Sequence, residues 1–224
     1  MTAPALVVSQ LSARRGDRTV LERVSFTANA SEILGVIGPN GAGKTTLFEC
    51  IAGVLPYTDG SVRAQGRLFY VPDAIRPWPD QTVRWSLELN ARIFGADVER
   101  ALIDALGLGA LLEQRVHALS KGEAKRMNIA LGLSVPDAVI LLDEPFDGLD
   151  LRQTRAAAEL LRQYRTRAHA LVVSIHQLSD AARVCDRFLL LDHGRGVAEG
   201  ALDDLQRQSG VRGGALEDVF LALT

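Results

Sequence analysis

The sequence predicts an α/β fold built on a mostly parallel sheet with helices on both faces, and three observations carry that expectation. Short runs of β character crowd the first third of the chain, a stretch of helical period fills the middle, and strand and helix alternate after Pro136. Alternation of that kind implies parallel strands joined by crossover helices. The early runs fall at residues 5–9, 24–28, 33–37 and 67–71, punctuated by Gly, Asn and Asp. Between Thr82 and Leu133 the apolar residues Leu87, Leu89, Ile93, Leu102, Ile103, Leu106, Leu111 and Leu112 recur at helical spacing, which predicts a helical insertion. Beyond Pro136 come a strand at 139–142, a helix at 152–165, a strand at 171–175, a short helix and a strand at 188–191. Leu216, Val219, Phe220 and Leu223 then place an amphipathic helix over 215–222.

A chain of 224 residues with 47% hydrophobic residues buries a substantial core. Lys and Arg total 25 against 27 Asp and Glu, so no overall charge excess points to nucleic acid or to an anionic bilayer surface. The longest apolar runs, such as 138–142, fall far short of the roughly 20 residues needed to cross a bilayer as a helix. The N-terminus lacks the pattern of a secretory signal, so a cytoplasmic location is expected. Cys50 and Cys185 stand too far apart for a zinc cluster or disulfide framework and read as buried thiols.

Residues 38–46 read GPNGAGKTT, which satisfies Gly, four residues, Gly, Lys, Ser or Thr. An apolar strand leads into it, and Leu47, Ile51 and Ala52 continue as a helix. Gly38, Gly41 and Gly43, with Pro39, Asn40 and Ala42 between them, let the backbone curl so that its N–H groups line an anion nest at a positive helix end. Lys44 reaches the β and γ phosphates of a bound triphosphate, the Thr45 hydroxyl takes one position on Mg²⁺, and Thr46 completes the run. A merely tight turn would call for Gly but leave Lys followed by Thr without a reason.

The run 139–142 ends in Asp143 and Glu144. Ligands collect beyond the carboxyl ends of parallel strands, so both acids are delivered to the phosphate edge. Asp143 is read as a Mg²⁺ group and Glu144 as the base that polarises an attacking water. The next strand ends in His176, read as a sensor of the γ-phosphate that orients that water or Glu144.

LSKGEAKRMNIAL, residues 119–131, resembles the signature of the ABC (ATP-binding cassette) family. The cradle, the Tyr70 to Asp73 loop, this signature, Asp143 and Glu144, the Gly148-Leu149-Asp150 turn and His176 follow in family order. The resemblance implies a P-loop NTPase (RecA-like) core over residues 1–73 and 136–224 with an N-terminal antiparallel β-subdomain, and a helical subdomain over 74–135, in a single domain spanning 1–224. It implies an ATPase that binds ATP and Mg²⁺ and drives a separate transmembrane permease subunit from the cytoplasmic face of the membrane. It further implies a head-to-tail dimer of two copies, or of this chain with a paralogue, in which Ser120, Lys121, Gly122 and Glu123 meet the ATP of the partner subunit. The turn that ends in Asp150 resembles the family's D-loop, which would lie at that interface. From the residues alone, Ser120 is equally an N-cap, with Glu123 completing a capping box.

Three positions depart from the family pattern. Asp73 stands where Gln or Glu is usual and is a candidate Mg²⁺ group. Lys121 replaces the first Gly of the signature and resembles a branch of exporter-type subunits. Arg15 replaces the adenine-stacking aromatic before Gly16, and a guanidinium plane also lies over a ring, so Arg15 is either an adenine platform or a solvated arginine. The loop AIRPWP at 74–79 is where family members meet the membrane partner; Ile75 and Trp78 either dock there or, for Trp78, face the core. Two other function classes compete. A soluble ABC ATPase that remodels a protein assembly, similar to those of iron-sulfur cluster assembly, fits Gly122-Glu123 and Lys125-Arg126 but not the exporter-like Lys121, Asp73 and LEDVFLALT ending. A GTPase or small-molecule kinase leaves the signature unexplained and finds no Asn-Lys-x-Asp sequence.

Overall fold

The computed structural model describes residues 3–165, 170–211 and 213–224. Strands β1 (Leu6–Arg15), β2 (Arg18–Ala28) and β4 (Asp59–Ala64) form an antiparallel sheet in the order β2-β1-β4. The second sheet contains β3 (Ile33–Ile37), β5 (Arg67–Val71), β6 (Ala138–Asp143), β7 (Ala170–Ile175), β8 (Arg187–Asp192) and β9 (Arg195–Gly200), in the order β5-β6-β7-β3-β8-β9. All its pairings are parallel except β8 with β9. Every residue of β3, β6 and β7 is buried, as continuous apolar runs in the centre of a covered parallel sheet should be.

Helices α1 (Lys44–Ile51), α2 (Val83–Phe94), α3 (Arg100–Ala105), α4 (Lys121–Leu133), α5 (Leu151–Tyr164), α6 (Leu178–Val184), α7 (Leu202–Ser209) and α8 (Leu216–Leu223) complete the chain. Strand alternation sorts the core into two layers. Ile33, Ile37, Ile140, Leu142 and Val173 face the cluster that contains Met127 of α4 and Leu161 of α5. Leu34, Val36, Val139, Leu141 and Val172 face Leu47 and Phe48 of α1 and the antiparallel sheet through Leu6, Val8 and Phe26.

Several expectations are corrected in detail. β1 and β2 run well beyond residues 5–9 and 24–28, because register shifts near Val8 and Leu11 interrupt the alternation that would reveal their length. Ile93, one of the apolar residues that mark the helical period, is 58% exposed, while Ser86 and Asn90 are buried. Asn90 is held there by hydrogen bonds from its side-chain amide to the Leu131 carbonyl and Ser134 Oγ, both 3.0 Å. β4, β9 and α7 were not anticipated; β4 has only half-buried and exposed positions and so carries no apolar signal.

The register places the site. Ile37 stands opposite Ile175 and Asp143 opposite Ser174, so the chain leaves β3, β6 and β7 at one edge with Gly38, Glu144 and His176 together.

Candidate nucleotide site

The loop after β3 is shaped by its glycines. Gly41 at φ 84° and Gly43 at φ 107° occupy the left-handed region that favours Gly, and a Cβ on Gly38 would collide with the Leu191 carbonyl. The loop is closed by Ala42 N–H donating to the Pro39 carbonyl (3.1 Å) and tied to the β8–β9 turn by Gly194 N–H donating to the Ala42 carbonyl (3.0 Å). Helix α1 starts without a side-chain cap, and among the described residues the N–H groups of Lys44, Thr45 and Thr46 meet no acceptor. Free N–H groups at a helix start attract anions. Lys44 is 6% exposed; its Nζ donates to the Gly38 carbonyl (2.8 Å) and the Pro39 carbonyl (3.3 Å) and lies 3.4 Å from Glu144 Oε1.

Asp143 ends β6 almost completely buried. Burial pushes its carboxyl up from the usual carboxylate range, and hydrogen bonds from the Ser174 and Thr45 hydroxyls pull the other way. Ser174 Oγ donates to Asp143 Oδ1 at 2.5 Å and accepts the Glu144 N–H at 2.9 Å, so one fully buried hydroxyl aligns both acids. Tyr70 Oη approaches Asp143 Oδ2 at 3.4 Å, and burial together with that carboxylate pushes the phenol well above its ordinary value. Glu144 sits at φ 48°, an uncommon conformation for a side chain that bears a Cβ. Its Oε2 is 2.6 Å from His176 Nδ1. Lys44, Glu144 and His176 therefore form one chain of contacts.

A cavity of about 320 Å³ opens over this edge, lined by Val20, Asn40, Gly41, Gly43, Lys44, Thr45, Thr46, Asp73 and Glu144. Asp73 does reach the pocket, but its Oδ1 is engaged 2.6 Å from Lys125 Nζ of α4. The Arg15 guanidinium is fastened to α1, with Nε donating to Thr46 Oγ1 (3.1 Å) and an ion pair to Glu49.

Ser120 lies elsewhere, as the N-cap of α4. Its Oγ accepts from Glu123 N–H (3.3 Å) and its own N–H donates to Glu123 Oε2 (2.8 Å), the reciprocal box, which holds the Glu123 carboxyl below its usual range. Lys121 Nζ pairs with Asp147 Oδ2 at 2.7 Å, and a Cβ on Gly122 would come within 2.9 Å of the Gly148 carbonyl. The tip of α4 thus packs on the 147–150 turn of its own chain. Asp150 caps α5, accepting from Arg152 N–H and Gln153 N–H at 2.8 Å each. None of residues 120–123 lines the cavity.

The sequence alone gives no site role of their own to Ser174, Tyr70 and Lys125. Ser174 had a signal, a lone hydroxyl in the apolar strand ALVVSI next to His176. Ser174→Ala leaves Asp143 short of a donor, a cost of about 1–3 kcal/mol. A melting curve that falls by several degrees, together with slower ATP turnover, is the expected result.

The model of the family described as ABC transporter matches residues 21–147, more than half of the chain. The chain belongs to the ABC transporter family. It is 30% identical over 237 residues to the ABC-type transporter ATP-binding protein EcsA of Bacillus subtilis, covering 98% of this chain and 96% of that protein. It is 35% identical over 206 residues to the Nod factor export ATP-binding protein I of Burkholderia lata, covering 84% of this chain and 68% of that one. Among solved structures, an ATP-binding subunit of an ABC transporter superposes with a TM-score of 0.89 at 29% identity, covering 98% of this chain and 99% of the other. This ABC subunit binds ATP and is an ATPase, and its fold is that of the P-loop NTPases.

The residues present fit a magnesium nucleotide. The Thr45 hydroxyl hydrogen-bonds the Asp143 carboxylate at the foot of the cradle, which sets a hydroxyl and a carboxylate oxygen side by side. That is the donor set of an ion bound chiefly by phosphate oxygens with one or two protein groups.

Proposed function

We propose that this ABC ATPase is the motor of a membrane exporter, closing head to tail with a second copy, or with a paralogue, around two ATP molecules. The observation that carries the reading is the separation of a complete phosphate cradle from the capped tip of α4. Both are anion-binding ends of helices, yet they do not share a cavity within one chain. A second chain facing the first supplies the missing Ser120 and Gly122 to each cradle, and Asp150 lies at the seam.

In that arrangement Gly38 to Thr46 would hold the triphosphate through backbone N–H groups and Lys44, and Thr45 and Asp143 would hold Mg²⁺. When bound, the ion would neutralise phosphate charge. Glu144 takes the proton of the attacking water, and His176, 2.6 Å away, holds its carboxylate in position. Arg15 offers a guanidinium face to the adenine. ATP favours the closed pair because it touches both chains, and loss of the γ-phosphate releases them. The division into an ATP-binding core, 1–73 with 136–224, and a helical part, 74–135, then lets α4 move with the partner's nucleotide.

Export as the direction is supported by the similarity to the Nod factor export proteins. A membrane subunit that the ATPase drives belongs to the same reading. That subunit would keep the ATPase at the cytoplasmic face. Its contact is an apolar groove of about 250 Å³ lined by residues that include Phe69, Ile75, Pro77, Trp78, Ile93 and Phe94. Trp78 packs edge-on against Trp85, with centroids 5.8 Å apart. Trp78→Glu is expected to reduce co-purification with the membrane subunit by at least about tenfold, as loss of a buried interface aromatic does. ATPase activity of the isolated subunit is the control; unchanged co-purification rules out docking at Trp78.

A further inference from the structure

Lys125 is one of few charged residues buried in this protein, with a side chain 4% exposed on the same helix whose tip carries Ser120. Burying an ammonium is costly unless it is paired. Its Nζ meets two groups, Asp73 Oδ1 at 2.6 Å and the Asp143 backbone carbonyl at 3.3 Å. One turn further along α4, Asn128 Nδ2 donates to the Ile75 carbonyl at 2.9 Å, and its Oδ1 is buried without a partner among the described residues. Helix α4 therefore clamps the loop after β5 at both ends of Ala74, which is held at φ 54°. An orphaned buried acceptor and a residue at positive φ each cost free energy, and the two contacts from α4 offset that cost.

The charges explain why the position matters. Asp73 lines the same cavity as Lys44, Thr45 and Glu144. A third free carboxylate at the place where a triphosphate binds would oppose that anion and tighten the competition for Mg²⁺. Lys125 cancels it.

We infer that Lys125 is a positioning residue for ATP hydrolysis: it neutralises Asp73 and holds it at the cavity wall, so that the Asp73–Lys125 pair serves as a single uncharged unit facing the phosphates. This assigns the Asp73 carboxylate to Lys125 rather than to Mg²⁺. The inference rests on the cavity over Lys44 being the phosphate site.

Steady-state ATPase measurements over ATP and Mg²⁺ concentration test it. Lys125→Gln leaves Asp73 unopposed, and KM for ATP rises about tenfold with kcat changed far less. Asp73→Asn shifts KM the opposite way, down about threefold, because the Lys125 charge is then unopposed. Combining the two returns KM to within about twofold of the parent protein. A merely structural pair would give a double variant at least as impaired as Lys125→Gln, and that outcome overturns the inference, as does an unchanged KM in Lys125→Gln. If Lys125→Gln fails to fold, as its melting curve would reveal, the exposed partner decides: a raised KM in Asp73→Asn overturns the inference equally. Lys44→Met runs alongside. Retained ATP affinity in that variant removes the phosphate site itself, whereas lost affinity there with an unaltered Lys125→Gln removes only the role of Lys125.

Discussion

Glu144→Gln is expected to lower phosphate release by about 10²–10⁴-fold while leaving ATP affinity within a few-fold of the parent. The carboxamide keeps the size of the side chain, and the strained backbone at φ 48° is still pinned by Ser174 Oγ to the Glu144 N–H. What disappears is the group that accepts a proton. Lys44, which lies 3.4 Å from Glu144 Oε1, also loses its counter-ion and is left freer to meet phosphate, so affinity rises if it changes at all. Phosphate release and a nucleotide titration, taken together, separate the two effects. Turnover within about tenfold of the parent would take the base role from Glu144.

Ser120→Asp is the second large effect and separates two jobs that one side chain could hold. Asp caps helices as well as Ser does, so α4 stays capped and stability changes by less than about 0.5 kcal/mol. A carboxylate placed where a neighbouring chain's phosphate should lie is repelled, and turnover is expected to fall by about 10²-fold or more. Capping alone would predict no such loss. Thermal melting and ATPase rate on the same preparation give the answer, and full activity with normal melting would confine Ser120 to its structural box.

Much of this architecture was legible because burial and chemistry wrote it locally. The central strands β3, β6, β7 and β8 appear as apolar runs, and the cradle is a contiguous string in which Gly41 and Gly43 take the positive φ that it demands. The capping box at Ser120 was also readable, since the two residues are three apart on one helix and the bond closes within the turn. Elements whose signal depends on distant partners were not. β4 and β9 lie at sheet edges with little buried surface, and the length of β1 is hidden by its irregular pairing. The apolar spacing in α2 does not mark its buried face, because packing on α4 buries Asn90 for its hydrogen bonds and leaves Ile93 exposed. Within the site, Ser174 aligns the two acids only because β6 and β7 pair in one register. Lys125 meets Asp73 from 52 positions away, a contact that no spacing rule foreshadows.

The central claim is that each ATP is held by the Lys44 cradle of one chain and the Ser120 tip of another. Mixing two inactive variants, Lys44→Met and Ser120→Asp, tests it most directly, because a mixed pair unites an intact cradle from one with an intact tip from the other. An equimolar mixture should recover about one quarter of parental ATPase activity, since half of the randomly formed pairs contain one whole site. Activity no greater than the sum of the two variants measured separately would contradict the shared site.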